Sequence, residues 1–211
     1  MSRPVHLAVV YHSATGTVAE VARELAESAE KAGAEVRLRR VAGIGEGPVP
    51  DGPRPATTAD GPPKAALADP PAAVDDVLWA DAVILGSPTR FGNVSAQLKH
   101  FLDGLGDPWR RGLLADKVYS AFTATSSRHG GQEATLLALI TSFHHFGGIV
   151  VAPGYTSPEK FVDGNPYGTA HSTEGRTRPV DAVTRNAARV QARRVVRLAA
   201  AVRAGASREV R

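Results

Sequence analysis

Three short stretches carry residues whose types and spacing could do chemistry. "HSATGTV" (His12 to Val18) sets the Ser13, Thr15 and Thr17 hydroxyls around Ala14 and Gly16, just ahead of an amphipathic run that begins at Val18. Hydroxyls and free backbone N–H groups at the start of a helix bind a phosphate without needing a cation. Taken singly, the stretch suits an ordinary capped polar turn equally well. "GSPTRFGNVS" (Gly86 to Ser95) follows an apolar run with a rigid bend at Pro88, a hydroxyl at Thr89, a cation at Arg90, an aromatic ring at Phe91 and the pair Gly92-Asn93. A plain strand-to-helix connection needs about two to six residues of simple turn chemistry. This one reads as a loop that grips something flat. "ATSSRHGGQE" supplies Ala124, Thr125, Ser126, Ser127 and Gly130, again hydroxyls and glycine before a helix. Together the three argue for a ligand with a phosphate at one end and a large planar polar ring at the other.

Several other chemistries lack their residues. The sequence has no G-x-x-x-x-G-K-[ST] loop for a nucleoside triphosphate and no G-x-G-x-x-G opening a helix. "GIGEG" (Gly43 to Gly47) runs straight into prolines. With no cysteine, thiol catalysis, disulfides and cysteine-held zinc or iron–sulfur clusters are excluded. The histidines fall in no H-E-x-x-H spacing, so no metal site is indicated, and no G-x-S-x-G serine elbow is present.

The elements that must hold these loops follow from hydrophobic period. Val5 to Tyr11 is a short apolar, β-branched run and reads as a buried strand. Thr17 to Lys31 alternates Val18, Val21, Ala22, Leu25 and Ala29 with Glu20, Arg23, Glu24 and Glu27 at helical spacing, and Gly33 stops it. Glu35 to Val41 reads as a second strand, which makes a right-handed parallel βαβ unit. Further strands are expected at Asp81 to Ser87, Lys117 to Ala124 and Ile149 to Ala152. Helices are expected from an Asn93 cap to Asp103, over Gly131 to Phe146, and over Val180 to Arg203. The predicted class is a single doubly wound α/β domain over residues 1–211, with five parallel strands and helices on both faces. Residues 43–71 hold eight of the fifteen prolines and five glycines, and read as an extended surface loop; residues 153–176 read as a second polar loop. Ligands of such sheets sit beyond the carboxyl ends of the strands, where strand order reverses. The three stretches are the loops that meet there.

Charge is uneven along the chain. The net charge is +4, yet residues 176–211 carry ten arginines and two acids, so the body is mildly acidic. Arg185, Arg189, Arg193 and Arg197 fall at i, i+4 spacing along one helix face. The stripe has no interleaved aromatic residue, so a solvated face paired with acids is expected ahead of nucleic-acid binding. No apolar stretch approaches the roughly 20 residues of a membrane helix, and the first residues make no signal-peptide pattern; a cytoplasmic protein is expected.

"GSPTRFGNVSAQLKHFLD", the W-x-x-G of Trp109 to Gly112, "GGQE" at Gly130 to Glu133, the pair His144-His145, "PGY" at Pro153 to Tyr155 and "NPYG" at Asn165 to Gly168 carry a resemblance. With them the chain resembles the WrbA-type NAD(P)H:quinone oxidoreductases, FMN proteins of flavodoxin-like fold, from Val5 to about Ala200. The resemblance implies that Ser13, Ala14, Thr15, Gly16, Thr17 and Val18 hold the FMN phosphate. It implies that Pro88, Thr89, Arg90, Phe91, Gly92 and Asn93 flank the isoalloxazine ring, and that Ala124, Thr125, Ser126, Ser127 and Gly130 close over the ribityl chain and ring edge. His145 would sit by the flavin, with Trp109 beside it, and spacing from Gln132 favours His145 over His144. Catalytic roles would fall to His145, Arg90 and Trp109. NAD(P)H and a quinone would use the flavin in turn, by a ping-pong hydride mechanism, in a homotetramer. This chain departs from the pattern at Thr15, where the family usually has an aromatic residue, and at Ser127-Arg128-His129, where it usually has small glycines and is one residue shorter.

Plainer readings stand beside these roles. Arg90 also suits a surface salt bridge, Trp109 a cap on the core, and the two histidines a helix end whose dipole favours an imidazolium. A flavodoxin-like electron carrier is the rival function, and a nucleic-acid module built on the arginine stripe is a third.

Overall fold

The computed structural model describes residues 3–43 and 68–209. Strand β1 (Val5–Tyr11) and helix α1 (Thr17–Lys31) have the bounds the periodicity predicts. Strand β2 (Ala34–Arg40) follows, then a short helix α2 (Val74–Trp79), strand β3 (Ala82–Pro88), helices α3 (Ala96–Asp103) and α4 (Gly106–Arg110), and strand β4 (Val118–Thr125). Helix α5 (Gln132–His145), strand β5 (Ile149–Val150), helix α6 (Pro158–Asp163), strand β6 (Thr169–Ser172) and helix α7 (Ala182–Glu209) complete the order.

All strand pairs are parallel, in the order β2-β1-β3-β4-β5, with β6 also paired to β4. Among the described residues the sheet thus has six strands where five were expected. The sixth lies inside the stretch read as a polar loop, 153–176, which also holds α6. β5 and β6 share one flank of β4: β5 pairs with Val118 and Tyr119 at its start, and β6 with Phe122 to Thr125 at its end. A second segment is needed because β5 is only two residues long.

Alternation on β1 splits the core into two layers. Leu7, Val9 and Tyr11 face α1 and α7, packing with Ala22, Leu25, Ala188 and Val195. Ala8 and Val10 face the other way, into a layer with Val77 of α2, Leu98 and Leu102 of α3, and Leu136, Leu139 and Phe143 of α5. Strand order runs outward in opposite directions from β1 and β3, so the crevice between their carboxyl ends is where connections diverge.

Charge fastens the edges. Buried Asp76 of α2 binds Arg37 and Arg39 of edge strand β2 at 3.2 and 3.0 Å. In the expected basic stripe, Arg185 pairs with Glu20 and Glu24, and Arg189 with Glu24 at 2.7 Å. Those two arginines clamp α7 onto α1, as the plainer reading of the stripe anticipated. Most of the proline-rich stretch, residues 44–67, lies outside the described residues. Its last part returns to the body, where Asp69 accepts hydrogen bonds from Tyr11 and Arg23.

Candidate active site

The first wall of the site is built by the turn after β1. Buried His12 donates its backbone N–H to Gly86 of β3 at 3.0 Å, tying the turn to the neighbouring strand. The Ser13 hydroxyl accepts from the Gly16 N–H at 3.1 Å. Gly16 then opens α1 from a left-handed conformation, φ 98°, with no side-chain cap on the helix. Glycine takes that conformation freely. The uncapped N–H groups of the first turn stay available to an anion, and the helix dipole favours one. Glu20, the acid of that first turn, is neutralised by Arg185.

The second wall follows β3. Thr89 donates its N–H to Ala124 of β4 at 2.9 Å, and its hydroxyl lies 3.2 Å from those of Thr123 and Thr135. This threonine cluster joins β3, β4 and α5. Arg90 and Asn93 then exchange two backbone hydrogen bonds of 2.9 Å across a two-residue turn. Both central residues are left-handed, Phe91 at φ 51° and Gly92 at φ 75°, the signature of a type I′ turn. An aromatic residue at positive φ is uncommon and costs free energy. The turn holds it there with the Phe91 ring wholly exposed. Asn93 serves this turn and does not cap α3 as expected; Ser95 does, accepting from the Leu98 N–H at 3.4 Å.

The third wall combines the ends of β4 and β6. The Thr125 hydroxyl bonds the Ser127 carbonyl at 2.8 Å, and Gln132 of α5 bonds the carbonyls of Ser127 and Arg128 at 3.3 and 2.9 Å. Thr125 and Ser126 in turn accept N–H groups of Thr173 and Gly175 at 2.9 and 2.7 Å. Arg128 reaches Glu174 at 3.1 Å, and that bond holds the exposed Glu174 carboxyl below the usual carboxylate range. Gly131, φ 89°, lets the start of α5 press against the second wall: a Cβ there would lie 2.7 Å from Gly92 Cα.

These walls enclose a cleft of about 280 Å³. Ser13, Ala14, Thr15, Thr17 and Val18 line it from β1, Pro88, Thr89 and Arg90 from β3, and Ala124, Thr125 and Ser126 from β4. Gly16, Phe91, Gly92, Asn93, Ser127 and Gly130 shape the loops around it without lining it. Two residues that sequence reading missed, Thr173 and Arg176, complete the lining. They follow β6, and recognising that strand would have flagged its loop by the same carboxyl-end rule. Among the described residues the lining holds no acidic residue and two arginines, Arg90 and Arg176.

Trp109 and His145 are brought together, but away from this cleft. The Trp109 indole N–H donates to the His145 carbonyl at 2.7 Å, and both side chains are exposed. His145 ends α5, and Ile149 just beyond pairs with Val118 at the start of β4. The cleft lies at the other end of β4, at Ala124 and Thr125. Eight strand residues at about 3.3 Å each put roughly 25 Å between the two places. His145 therefore stands remote from the cleft of its own chain.

A parallel sheet with helices on both faces, an anion-ready turn after β1 and an aromatic-tipped turn after β3 define a flavodoxin-fold protein. A sequence model described as NADPH-dependent FMN reductase matches residues 8–162, and the chain belongs to that family. A protein of Deinococcus radiodurans named NAD(P)H dehydrogenase (quinone) is 41% identical over 202 residues, covering 95% of this chain and 98% of its own. One of the same name from Paracoccus denitrificans is 38% identical over 209 residues, covering 95% and 97%. Among solved structures, a WrbA-like flavodoxin protein from Agrobacterium tumefaciens superposes with TM-score 0.64 at 28% identity, over 93% of this chain and 98% of that one.

Proposed function

We propose that this chain is an FMN-dependent oxidoreductase that carries two electrons from NAD(P)H to a quinone. The observation that carries the reading is the cleft itself. Its lining pairs uncapped N–H groups and hydroxyls at the start of α1 with Thr89 and Arg90 after β3, beside the aromatic-tipped turn, and among the described residues it holds no acid. That chemistry fits a phosphorylated chain ending in a flat polar ring. The curated relatives named NAD(P)H dehydrogenase (quinone), similar over nearly their whole length, support the activity.

FMN, when bound, supplies the redox chemistry, and the protein supplies binding, orientation and electrostatics. Ser13, Thr15, Thr17 and the first N–H groups of α1 would hold the phosphate. Thr89 and Arg90 would meet the ring, with Arg90 stabilising negative charge as it grows there. Phe91 would give a nicotinamide or a quinone a surface to stack on, each taking the same place in turn, so the kinetics would be ping-pong.

Assembly belongs to the same proposal. Trp109 and His145 lie too far from their own cleft to serve it, so a catalytic role for them requires the cleft of a neighbouring copy, as in the expected homotetramer. Exposed apolar side chains support a buried contact: Phe161 and Val162 are about 70% exposed, and Tyr155 packs on Phe161 with ring centres 5.1 Å apart. Among the described residues no helix is long and apolar enough to cross a membrane. A cytoplasmic location is part of the proposal, in keeping with a cysteine-free chain.

The test is direct. Protein purified with FMN should be yellow, should bleach anaerobically on adding NADH or NADPH, and should regain its colour on adding benzoquinone. Bound flavin that neither nicotinamide bleaches would leave an electron carrier as the better reading.

A further inference from the structure

The loop after β6 holds an arginine in an unusual state. Glu174, Gly175 and Arg176 are all left-handed, at φ 46°, 72° and 73°. Two of the three are not glycine, and such residues enter this region rarely. The surroundings impose the turn. Thr173 donates its N–H to Thr125 and Gly175 donates to Ser126, so the loop hangs from the carboxyl end of β4. The Arg176 N–H reaches the Thr173 hydroxyl at 3.3 Å, and Arg178 closes the loop by donating its N–H to the Thr173 carbonyl at 2.9 Å.

The acids nearby are occupied. Glu174 is bound by Arg128 at 3.1 Å and Arg178 at 3.6 Å, and Asp181 by Arg178. Arg176 has no carboxylate partner among the described residues. It lines the cleft together with Ser13, Thr15 and Thr17. The loop leads directly into α7, whose first turns are clamped to the first turns of α1 by Arg185 on Glu20 and Glu24. Arg176 therefore approaches the cleft from the side of the α1 N-terminus. Arg90 joins the lining from the end of β3, beside the turn that carries Phe91.

Resting on the FMN reading above, we infer that Arg176 is a phosphate-recognition residue: its guanidinium closes on the cofactor's phosphate, opposite the hydroxyls and N–H groups of the first loop. The phosphate site then has two halves, a neutral one that sequence shows and a cationic one delivered from the far end of the chain. Arg90 is left for the ring. A phosphate dianion takes a guanidinium through paired, charge-assisted hydrogen bonds. The left-handed turn and the Glu174 ion pairs hold the loop in place before the ligand arrives.

The experiment titrates FMN and riboflavin into flavin-free full-length protein, followed by quenching of flavin fluorescence, for the parent and for Arg176→Gly and Arg176→Lys. Glycine suits φ 73°, so Arg176→Gly removes the cation without straining the turn, and its melting temperature should equal or exceed the parent's. FMN affinity should fall about 10 to 100-fold in Arg176→Gly and less in Arg176→Lys. Riboflavin, which lacks the phosphate, should bind all three proteins alike. FMN binding should also lose part of its salt dependence. Equal losses for FMN and riboflavin would make the residue structural and overturn the inference. Unchanged FMN affinity in Arg176→Gly, with a higher KM for NADPH but not NADH, would assign it to the nucleotide's phosphate instead. Unchanged FMN affinity without that change would also overturn it, while leaving the proposed function intact. A parent that binds no FMN would sink both.

Discussion

The contact between Gly131 and Gly92 is the narrowest joint in the site, and Gly131→Ala should break it. Gly131 is left-handed at φ 89°, and a Cβ placed on it would lie 2.7 Å from Gly92 Cα and 3.6 Å from Thr89 Cγ2. Carbon atoms rest about 3.5–4.0 Å apart, so the first of these contacts is too close by roughly an ångström. Its partner is backbone, which cannot rotate aside. The left-handed conformation costs an alanine about 1–2 kcal/mol, and overpacking a fitted site about 1–3 kcal/mol more. A total of about 2–5 kcal/mol is a large share of an ordinary domain's stability. For a chain of this size it should lower the melting temperature by about 5–15 °C. Gly164→Ala separates the two causes. Gly164 has φ 76° with nothing within 4 Å of its Cβ position, so it should show the conformational cost alone. Because Gly92 carries the Arg90–Asn93 turn, Gly131→Ala should also weaken FMN and riboflavin together, unlike the loss at Arg176. Thermal melts and flavin titrations of the two variants read both effects. If Gly131→Ala melts no lower than Gly164→Ala and binds flavin as the parent does, the close approach of α5 to the β3 turn does not hold the site.

Further outcomes follow from the same geometry. Thr17→Glu puts a carboxylate at the start of α1 and should abolish FMN uptake; retention of parental affinity would show that the phosphate lies elsewhere. His145→Ala should keep FMN and lose about 10 to 100-fold in turnover, with parallel double-reciprocal lines for the parent; intersecting lines would mean that both substrates bind at once, and a parent active as a monomer in light scattering would exclude the shared site. Asp181, just before α7, accepts the Thr184 N–H at 2.8 Å; burial pushes its carboxyl up, but that bond and Arg178 outweigh it and hold it at about 2 against an ordinary 3.8. A carboxyl lowered in the folded state adds stability that is whole above its ordinary value and is lost as pH falls toward 2. Asp181→Asn should therefore melt below the parent at pH 6, by about half as much at pH 3 and by little near pH 2; a gap that does not change with pH would refute that account.

What the sequence determined by itself was everything written in a local period. β1 and α1 stand where alternation and 3.6-residue spacing put them, because burial of one face of one segment needs no knowledge of any other. The three loops were legible for the same reason: hydroxyls, glycines and an Arg-Phe pair at the ends of apolar runs mark themselves. Tertiary structure decided what depends on segments far apart in the chain. β6 is four residues long and without a strong pattern; it is a strand because β5 leaves the end of β4 unpaired, and backbone groups there need partners. With β6 came Thr173 and Arg176, which no local signal joined to the first loop. Which acids the Arg185 and Arg189 stripe would pair with was settled only when α7 lay on α1 and met Glu20 and Glu24. His145 was placed by the structure at the far end of β4 from its own chain's cleft, because α5 runs from the cleft back along the sheet.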